Sequence, residues 1–273
     1  MGARPRGRHP PVIETEGYMT ATATKPARLW SFRDGIVVLG AAMLAYTLMS
    51  WGHMAIVART VGMEAYLGSG DRLPASILVI SQASKAAALM GALWLLGLLP
   101  KRLDWSAVGL RPVKSGWLIL GGVAGLGFVV TGLLLVKTVI ALIPDWAGMT
   151  RSPFAFGEAN GWAMSAAFLA LTFAITPFAE EVFFRGFLYK WMKGHHPAWL
   201  AAIISSAIFG ASHIIPPQAI NAFVLSLVLI WIYEKSGSIW PAILAHAVNN
   251  IAGTLLSALA AQGHLPAFLT APG

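Results

Sequence analysis

The chain has 273 residues, of which 57% are hydrophobic and only 11% are charged. Because about a quarter of the residues in a soluble domain are charged, this composition excludes an ordinary soluble fold and predicts a protein that is solvated by lipid. The chain has no cysteine, which excludes disulfides, thiolate metal sites and palmitoylation, and leaves the redox compartment open.

The net charge of +8 does not indicate a nucleic-acid-binding protein, because the cations lie at the ends of apolar segments. Six of the 19 lysines and arginines precede the first apolar stretch, at Arg4, Arg6, Arg8, Lys25, Arg28 and Arg33. We therefore expect the lipid bilayer as a partner, and no nucleic acid.

The first 34 residues are polar and basic, and the first 18 of them are rich in proline, arginine and glycine. This stretch is longer than the n-region of a secretory signal, and its composition is typical of disorder. We predict a disordered basic tail at 1–34, a transmembrane domain at 35–260 and a short C-terminal tail at 261–273. Met19 is a second candidate start.

Seven apolar segments follow along the chain, and continuous runs of this length predict helices, because only helices and closed barrels cross lipid. The fold class is therefore all-α, a polytopic bundle of about seven transmembrane helices, with six to eight as the range. The segments are 35–58, 76–99, 117–143, 161–178 continuing as a helix to about 193, 198–215, 219–233 and 239–259. Gly121 and Gly125 form a small-xxx-small step, which is typical of close helix packing.

The loops predict the orientation in a cell membrane. The N-terminal tail, the loop Lys101–Lys114 and the turn Lys190–Lys193 are basic, whereas the alternate loops carry balanced or little charge. Since an excess of Lys and Arg marks the cytoplasmic side, we expect the N-terminus inside and, with seven spans, the C-terminus outside.

The densest set of ionisable residues in an apolar segment is Glu180-Glu181-x-x-x-Arg185. Such residues are costly in lipid and are usually functional. Glu181 and Arg185 are four residues apart and can pair on one helical face, whereas Glu180 points about 100° away and is free to face a cavity. An ion-pair cluster at a helix end, without chemistry, is the alternative.

Two further motifs lie in later segments: Phe209-x-x-x-His213 and His246-x-x-x-Asn250. Each alone is equally well explained by packing or by hydrogen bonds between helices. Together with Glu180 they supply a carboxylate, two imidazoles and an amide. A carboxylate and an imidazole can activate water, and a second imidazole and an amide can stabilise an oxyanion. Alternatively, Glu180, His213 and His246 could hold a divalent metal such as zinc.

Other protease chemistries fit the sequence less well. It contains neither H-E-x-x-H nor G-x-S-x-G. Gly68-x-Gly70-Asp71 has the G-x-G-D pattern of intramembrane aspartyl proteases, but it lies in a polar loop. No second aspartate lies in an apolar segment to complete a dyad.

The three motifs, in this order and spacing, resemble those of the CPBP family. These are the type II CAAX prenyl endopeptidases and their bacteriocin-processing relatives, also called the Abi group. The resemblance implies a helical intramembrane endopeptidase in which Glu180 and His213 activate water, His246 and Asn250 form the oxyanion hole, and Glu181–Arg185 is a structural pair. The family is often labelled metalloprotease, and a metal-free glutamate mechanism has also been proposed for it.

The same resemblance implies a membrane-associated peptide or protein as substrate, prenylated in eukaryotic members and not in many prokaryotic ones. The compact chain is typical of a bacterial member. Two alternatives stay open: a non-proteolytic family member that acts as a membrane adaptor or bacteriocin immunity protein, and a small transporter, since Lys85 and Lys137 also lie in apolar segments.

One feature of the predicted spans conflicts with a shared site. Counted from Ala198, His213 lies about 22 Å along its helix, whereas His246 lies only about 10 Å from Ile239. We therefore expect tilted or kinked helices, or a different start of the fifth span.

Overall fold

The computed structural model of the protein describes residues 28–60, 75–150, 162–213 and 215–264, together with Gly2 and Gly62. These residues form seven main helices and contain no strand, which confirms the predicted all-α helix bundle. The helices are α1 Phe32–Thr60, α2 Ala75–Ala92, α3 Ser115–Leu142, α4 Trp162–His195, α5 Ala198–Ala211, α6 Pro216–Ser236 and α7 Trp240–Ala261. Helix α2 continues through a π turn at Leu93–Leu98 and a 3-10 turn at Leu99–Lys101, and short 3-10 helices lie at Trp105–Val108 and Pro144–Thr150.

Six of these helices are long and apolar enough to cross a membrane, and α5 is shorter. Its 14 residues extend about 21 Å, which is less than the ~30 Å of a hydrocarbon core. The apolar sequence continues to Ile215, but Pro216 and Pro217 disfavour a helical conformation in the residues before them, and Ile215 is extended. The helix of the fifth predicted span, 198–215, therefore ends at Ala211, before the apolar sequence ends.

Helix α4 carries Glu180 and is not regular. It contains π-helical segments at Leu171–Ile175 and Val182–Tyr189, with an α-helical turn Thr176–Glu181 between them. Pro177 has no backbone N–H, so the helix must rearrange in the turn before it. The π segment Leu171–Ile175 lies directly N-terminal to Thr176 and Pro177, where this rearrangement is required.

The helix ends on one side of the bundle form a basic face. Lys101 Nζ lies 2.7 Å from Asp34 Oδ2, and Lys193 pairs with Glu234, which brings together ends of α1 and α2 and of α4 and α6. The indole N–H of Trp191 donates to Ser31 O at 3.0 Å and joins α4 to α1. The cations of this face are Arg28, Arg33, Lys101, Arg102, Arg111, Lys114, Lys190, Lys193 and Lys235.

Most of the predicted tail 1–34 lies outside the described residues, but its last residues are well packed. Trp30 is 2% exposed and its indole N–H donates to Gly97 O at 2.9 Å. Ser31 N donates to Asp34 Oδ2 and Asp34 N to Ser31 Oγ, a reciprocal cap that lets α1 begin at Phe32. Of the predicted C-terminal tail, Ala261 ends α7, 262–264 follow it, and 265–273 lie outside the described residues.

Helices α3 and α7 pack in close contact, as the small-xxx-small step predicts. A Cβ atom on Gly121 would lie 2.4 Å from Pro241 O, and one on Gly125 would lie 2.4 Å from Ala245 O. Only glycine allows this approach, so the two glycines fix the position of the first half of α7, including His246 next to Ala245.

The conflict in depth is explained by the different levels at which the helices begin. Ile239 N donates to Gly109 O at 2.9 Å, and a Cβ on Gly186 would lie 2.4 Å from Val108 O. The start of α7 therefore lies at the level of Gly186 in α4. The last turns of α4 continue from Gly186 to His195, beyond the start of α7. From this common level Glu180 is about 9 Å along α4 and His246 about 10 Å along α7.

Candidate active site

Glu180 lies at the centre of the polar residues on α4 and is 2% exposed. Its Oε1 atom is 2.5 Å from the Nζ atom of Lys85 on α2, and its Oε2 atom is 3.7 Å from the Nε2 atom of His246 on α7. Lys85 occupies one oxygen of the carboxylate and leaves the other facing His246. A buried carboxylate with an ammonium partner is held ionised and oriented.

Glu181 lies on another side of α4 and joins Arg185 and His246. Its Oε1 atom is 2.9 Å from Arg185 Nη1, so the pair expected from the spacing is formed, as an ion contact rather than an aligned hydrogen bond. The same oxygen is 2.8 Å from His246 Nδ1. Because an ionised carboxylate only accepts, His246 donates through Nδ1, and this directs its Nε2 atom towards Glu180.

Phe209 is fully buried and packs against the guanidinium of Arg185 and against the two imidazoles. Its ring centroid is 4.1 Å from the Cζ atom of Arg185, 4.9 Å from the His213 ring and 6.0 Å from the His246 ring. The ring face stabilises the guanidinium, whose desolvation is otherwise costly. Phe209 therefore has an electrostatic role in addition to the packing role that we expect from its place in the motif.

His213 lies in the turn that follows α5, with its side chain at the same cavity. Its Nδ1 atom is 3.0 Å from Phe209 O. Since a carbonyl oxygen only accepts, Nδ1 carries the proton of the neutral ring and Nε2 has a free lone pair. An imidazole in this tautomer can accept a hydrogen bond from water.

Asn250 follows His246 by one helical turn and contacts α4. Its Nδ2 atom donates to Thr172 O at 3.1 Å, in the first π segment. Gln82 of α2 donates to Thr172 Oγ1 at 2.8 Å and accepts from Thr176 Oγ1 at 2.9 Å. An amide nitrogen has two hydrogens, so Asn250 keeps one for a ligand.

These groups surround a cavity of about 550 Å³. Glu180, His213, His246 and Asn250, which the sequence singled out separately, all line it. Among the described residues, the lining is Tyr46 from α1; Leu78, Ser81, Gln82 and Lys85 from α2; Phe168, Thr172, Thr176 and Glu180 from α4; Ser212, His213 and Gln218 around the α5–α6 turn; and His246, Asn249, Asn250, Gly253, Thr254 and Ser257 from α7. Glu181 and Arg185 lie behind this lining.

Sequence reasoning assigned no role at this site to Lys85 or Gln82. Lys85 had been noted only as a cation in an apolar segment, compatible with a transport pathway. A lysine in the second span should have been tested against every acid in the other spans, because a buried charge requires a counter-charge. Gln82, one helical turn before Lys85, gave a weaker signal of the same kind.

The residues as arranged do not fit the divalent metal that was considered for this site. Within the described part of the chain, no three His, Cys, Asp or Glu side chains are grouped as metal ligands. The ammonium of Lys85 occupies one oxygen of Glu180, and His246 is directed by its bond to Glu181. A metal would have to displace this cation.

Comparison with known families places the three motifs in one segment. Residues 162–252 match the family model described as type II CAAX prenyl endopeptidase Rce1-like. This segment is Rce1-like. It covers about a third of the chain, from the start of α4 into α7, and the resemblance to the CPBP family is confirmed. No curated protein and no solved structure shows significant similarity to the chain. Lys85 and Gln82 lie outside the Rce1-like segment and complete its cavity from α2.

Proposed function

We propose that the chain is an integral membrane endopeptidase, which hydrolyses a peptide bond of a membrane-associated peptide or protein through a water activated by Glu180 and His213. The observation that carries this proposal is that the carboxylate, the two imidazoles and the amide of an Rce1-like segment line one cavity. Six helices that can cross a membrane place this cavity in a multi-pass membrane protein.

In the proposed mechanism, Glu180 Oε2 and His213 Nε2 orient a water molecule, and one of them removes its proton as the oxygen attacks the carbonyl carbon. The resulting oxyanion accepts hydrogen bonds from Asn250 Nδ2 and from His246 Nε2 when that nitrogen is protonated. Collapse of the tetrahedral intermediate breaks the C–N bond, and the abstracted proton passes to the leaving amine. No covalent enzyme intermediate is required.

Lys85 is proposed as a positioning residue for Glu180. Its ammonium binds Oε1 and thereby leaves Oε2 for the water. Lys85→Met, which keeps the length of the side chain and removes its charge, should lower kcat by about tenfold or more with little change in KM, because only the orientation of the base is lost. Lys85→Arg should recover part of the loss. Steady-state kinetics of the three proteins test this, and unchanged kcat in Lys85→Met would exclude the role.

The proposed function is tested by cleavage of membrane peptides in proteoliposomes, with products identified by mass spectrometry. The wild type should cleave at a defined bond, and His213→Ala should be at least about tenfold slower. A metal chelator should leave the rate unchanged. Loss of activity with a chelator and its recovery with zinc would contradict the arrangement around Lys85. Binding of a peptide without cleavage would favour the adaptor or immunity protein instead.

A further inference from the structure

We infer that the cavity opens on the side of the bundle opposite the basic face, so that the enzyme takes its substrate from the non-cytoplasmic side of the membrane. That the cavity receives a substrate rests on the proposed function. The direction in which the cavity opens, relative to the basic face, follows from the fold alone. It gives the substrate class a location: a peptide segment that is exposed outside the cytoplasm or enters from the outer half of the bilayer.

The direction is given by where the lining residues lie on three helices. Helices α2 and α4 end at the basic face, and on both of them the lining residues precede Lys85 and Glu180 in the chain. Helix α7 begins near the basic face and runs away from it, and here the lining residues follow His246 as far as Ser257. On all three helices the cavity therefore extends away from the basic face.

Between Glu180 and the basic face the bundle is closed. Every residue of Val182–Tyr189 is buried, and Phe183 and Phe187 are fully inaccessible. Trp30 packs edge-on against Phe187 at 5.2 Å, and Val108 lies in backbone contact with Gly186. A peptide that approached from the basic face would have to displace this aromatic core.

On the other side, exposure increases along α7. His246 is 4% exposed, Thr254 is half-buried and Ser257 is exposed. The lining of α7 beyond His246 is polar but uncharged: Asn249, Asn250, Thr254 and Ser257, with Gly253 between them. Amides and hydroxyls can donate to and accept from a peptide backbone, so this stripe suits an extended segment better than a charged side chain.

The charges of the described residues assign the sides. The basic face has nine lysines and arginines and only three acids, Asp34, Asp104 and Glu234. At the opposite ends of the helices, the described residues include two cations, Arg59 and Lys137, and one acid, Asp145, so the excess of cations there is one, against six at the basic face. Since an excess of cations marks the cytoplasmic side, the closed face is cytoplasmic and the open one is not.

The absence of cysteine makes a direct test possible, because each single-cysteine variant has one reactive thiol. Ser257→Cys places it at the mouth of the cavity, Lys114→Cys at the basic face, and Val130→Cys on an exposed but apolar position of α3. Intact cells or right-side-out spheroplasts are treated with a membrane-impermeant maleimide, before and after permeabilisation. We expect Ser257→Cys to react in intact cells, Lys114→Cys only after permeabilisation, and Val130→Cys in neither case.

Labelling of Ser257→Cys only after permeabilisation, or in neither condition, would overturn the inference, as would labelling of Lys114→Cys in intact cells. These results do not depend on proteolysis. Correct labelling without any cleavage would count against the proposed function alone, whereas cleavage with inverted labelling would count against the side of access alone.

Discussion

Glu180→Gln should lower the rate constant of proteolysis by at least about two orders of magnitude, because glutamine keeps the size of the side chain and removes the base. The protein should still fold and insert into the membrane. The substitution leaves the ammonium of Lys85 without its carboxylate, but the Lys85 side chain is 17% exposed towards the cavity and can be hydrated there. The measurement is single-turnover cleavage in proteoliposomes, with the amount of folded protein determined by size-exclusion chromatography.

The matched control is Glu234→Gln, which removes a carboxylate that lies at the basic face and not in the cavity. Its proteolytic rate should equal that of the wild type. If purified, folded Glu180→Gln cleaves at a near-normal rate, Glu180 is not the base and the proposed mechanism is wrong.

Arg185→Ala should lower the free energy of unfolding by about 3–5 kcal/mol, because it leaves the carboxylate of Glu181 buried with only His246 as a partner. The side chains of both Arg185 and Glu181 are 0% exposed, so water cannot replace the lost contact without disrupting the packing around Phe209. Thermal unfolding of the purified protein in detergent should show a midpoint lower by about 6–20 °C, on the scale of soluble chains of similar size. Activity should also fall, since Glu181 orients His246.

Lys193→Ala provides the comparison, because it breaks an ion pair with Glu234 in which the side chains are 40% and 36% exposed. Surface pairs of this kind contribute about 0–1 kcal/mol, so its unfolding midpoint should stay close to that of the wild type. The double variant Glu181→Gln/Arg185→Met removes both charges and should be more stable than Arg185→Ala. An unchanged midpoint in Arg185→Ala would mean that the pair is accessible to solvent.

The sequence predicted what depends on spacing within one helix. The contact between Glu181 and Arg185 follows from a separation of four residues, and so does the different direction of Glu180. The positions of the long helices follow from continuous apolar runs, because lipid requires them. Contacts between distant segments could not be derived in this way. Lys85 and Glu180 are joined only by the packing of α2 on α4, and no local pattern predicts their pairing.

The boundaries of the fifth span show a second limit of sequence reasoning. Ile214 and Ile215 extend the apolar run, so hydropathy alone continues the span, whereas Pro216 and Pro217 end the helix earlier. The depth of His213 and His246 was likewise misjudged from helix starts, because the last turns of α4 extend beyond the start of α7. Depth in a bundle depends on the level at which each helix begins, and that level is a property of the tertiary structure.

The short helix α5 has a consequence for how the protein folds in lipid. A helix of 14 residues returns within the thickness of the bilayer, so the turn at Ser212 and His213 lies at a depth where lipid cannot hydrogen-bond the backbone; the N–H groups of both residues donate instead to Ile208 O and Gly210 O. Non-helical backbone is tolerated at this depth where it is buried in protein or borders a hydrated space, and Ser212 and His213 line the cavity of Glu180. In the proposed mechanism, water in this cavity would both hydrate the turn and supply the molecule that attacks the peptide bond. Substitutions that fill the cavity with large apolar side chains should therefore impair insertion and folding in the membrane as well as catalysis, because they would exclude water from the turn.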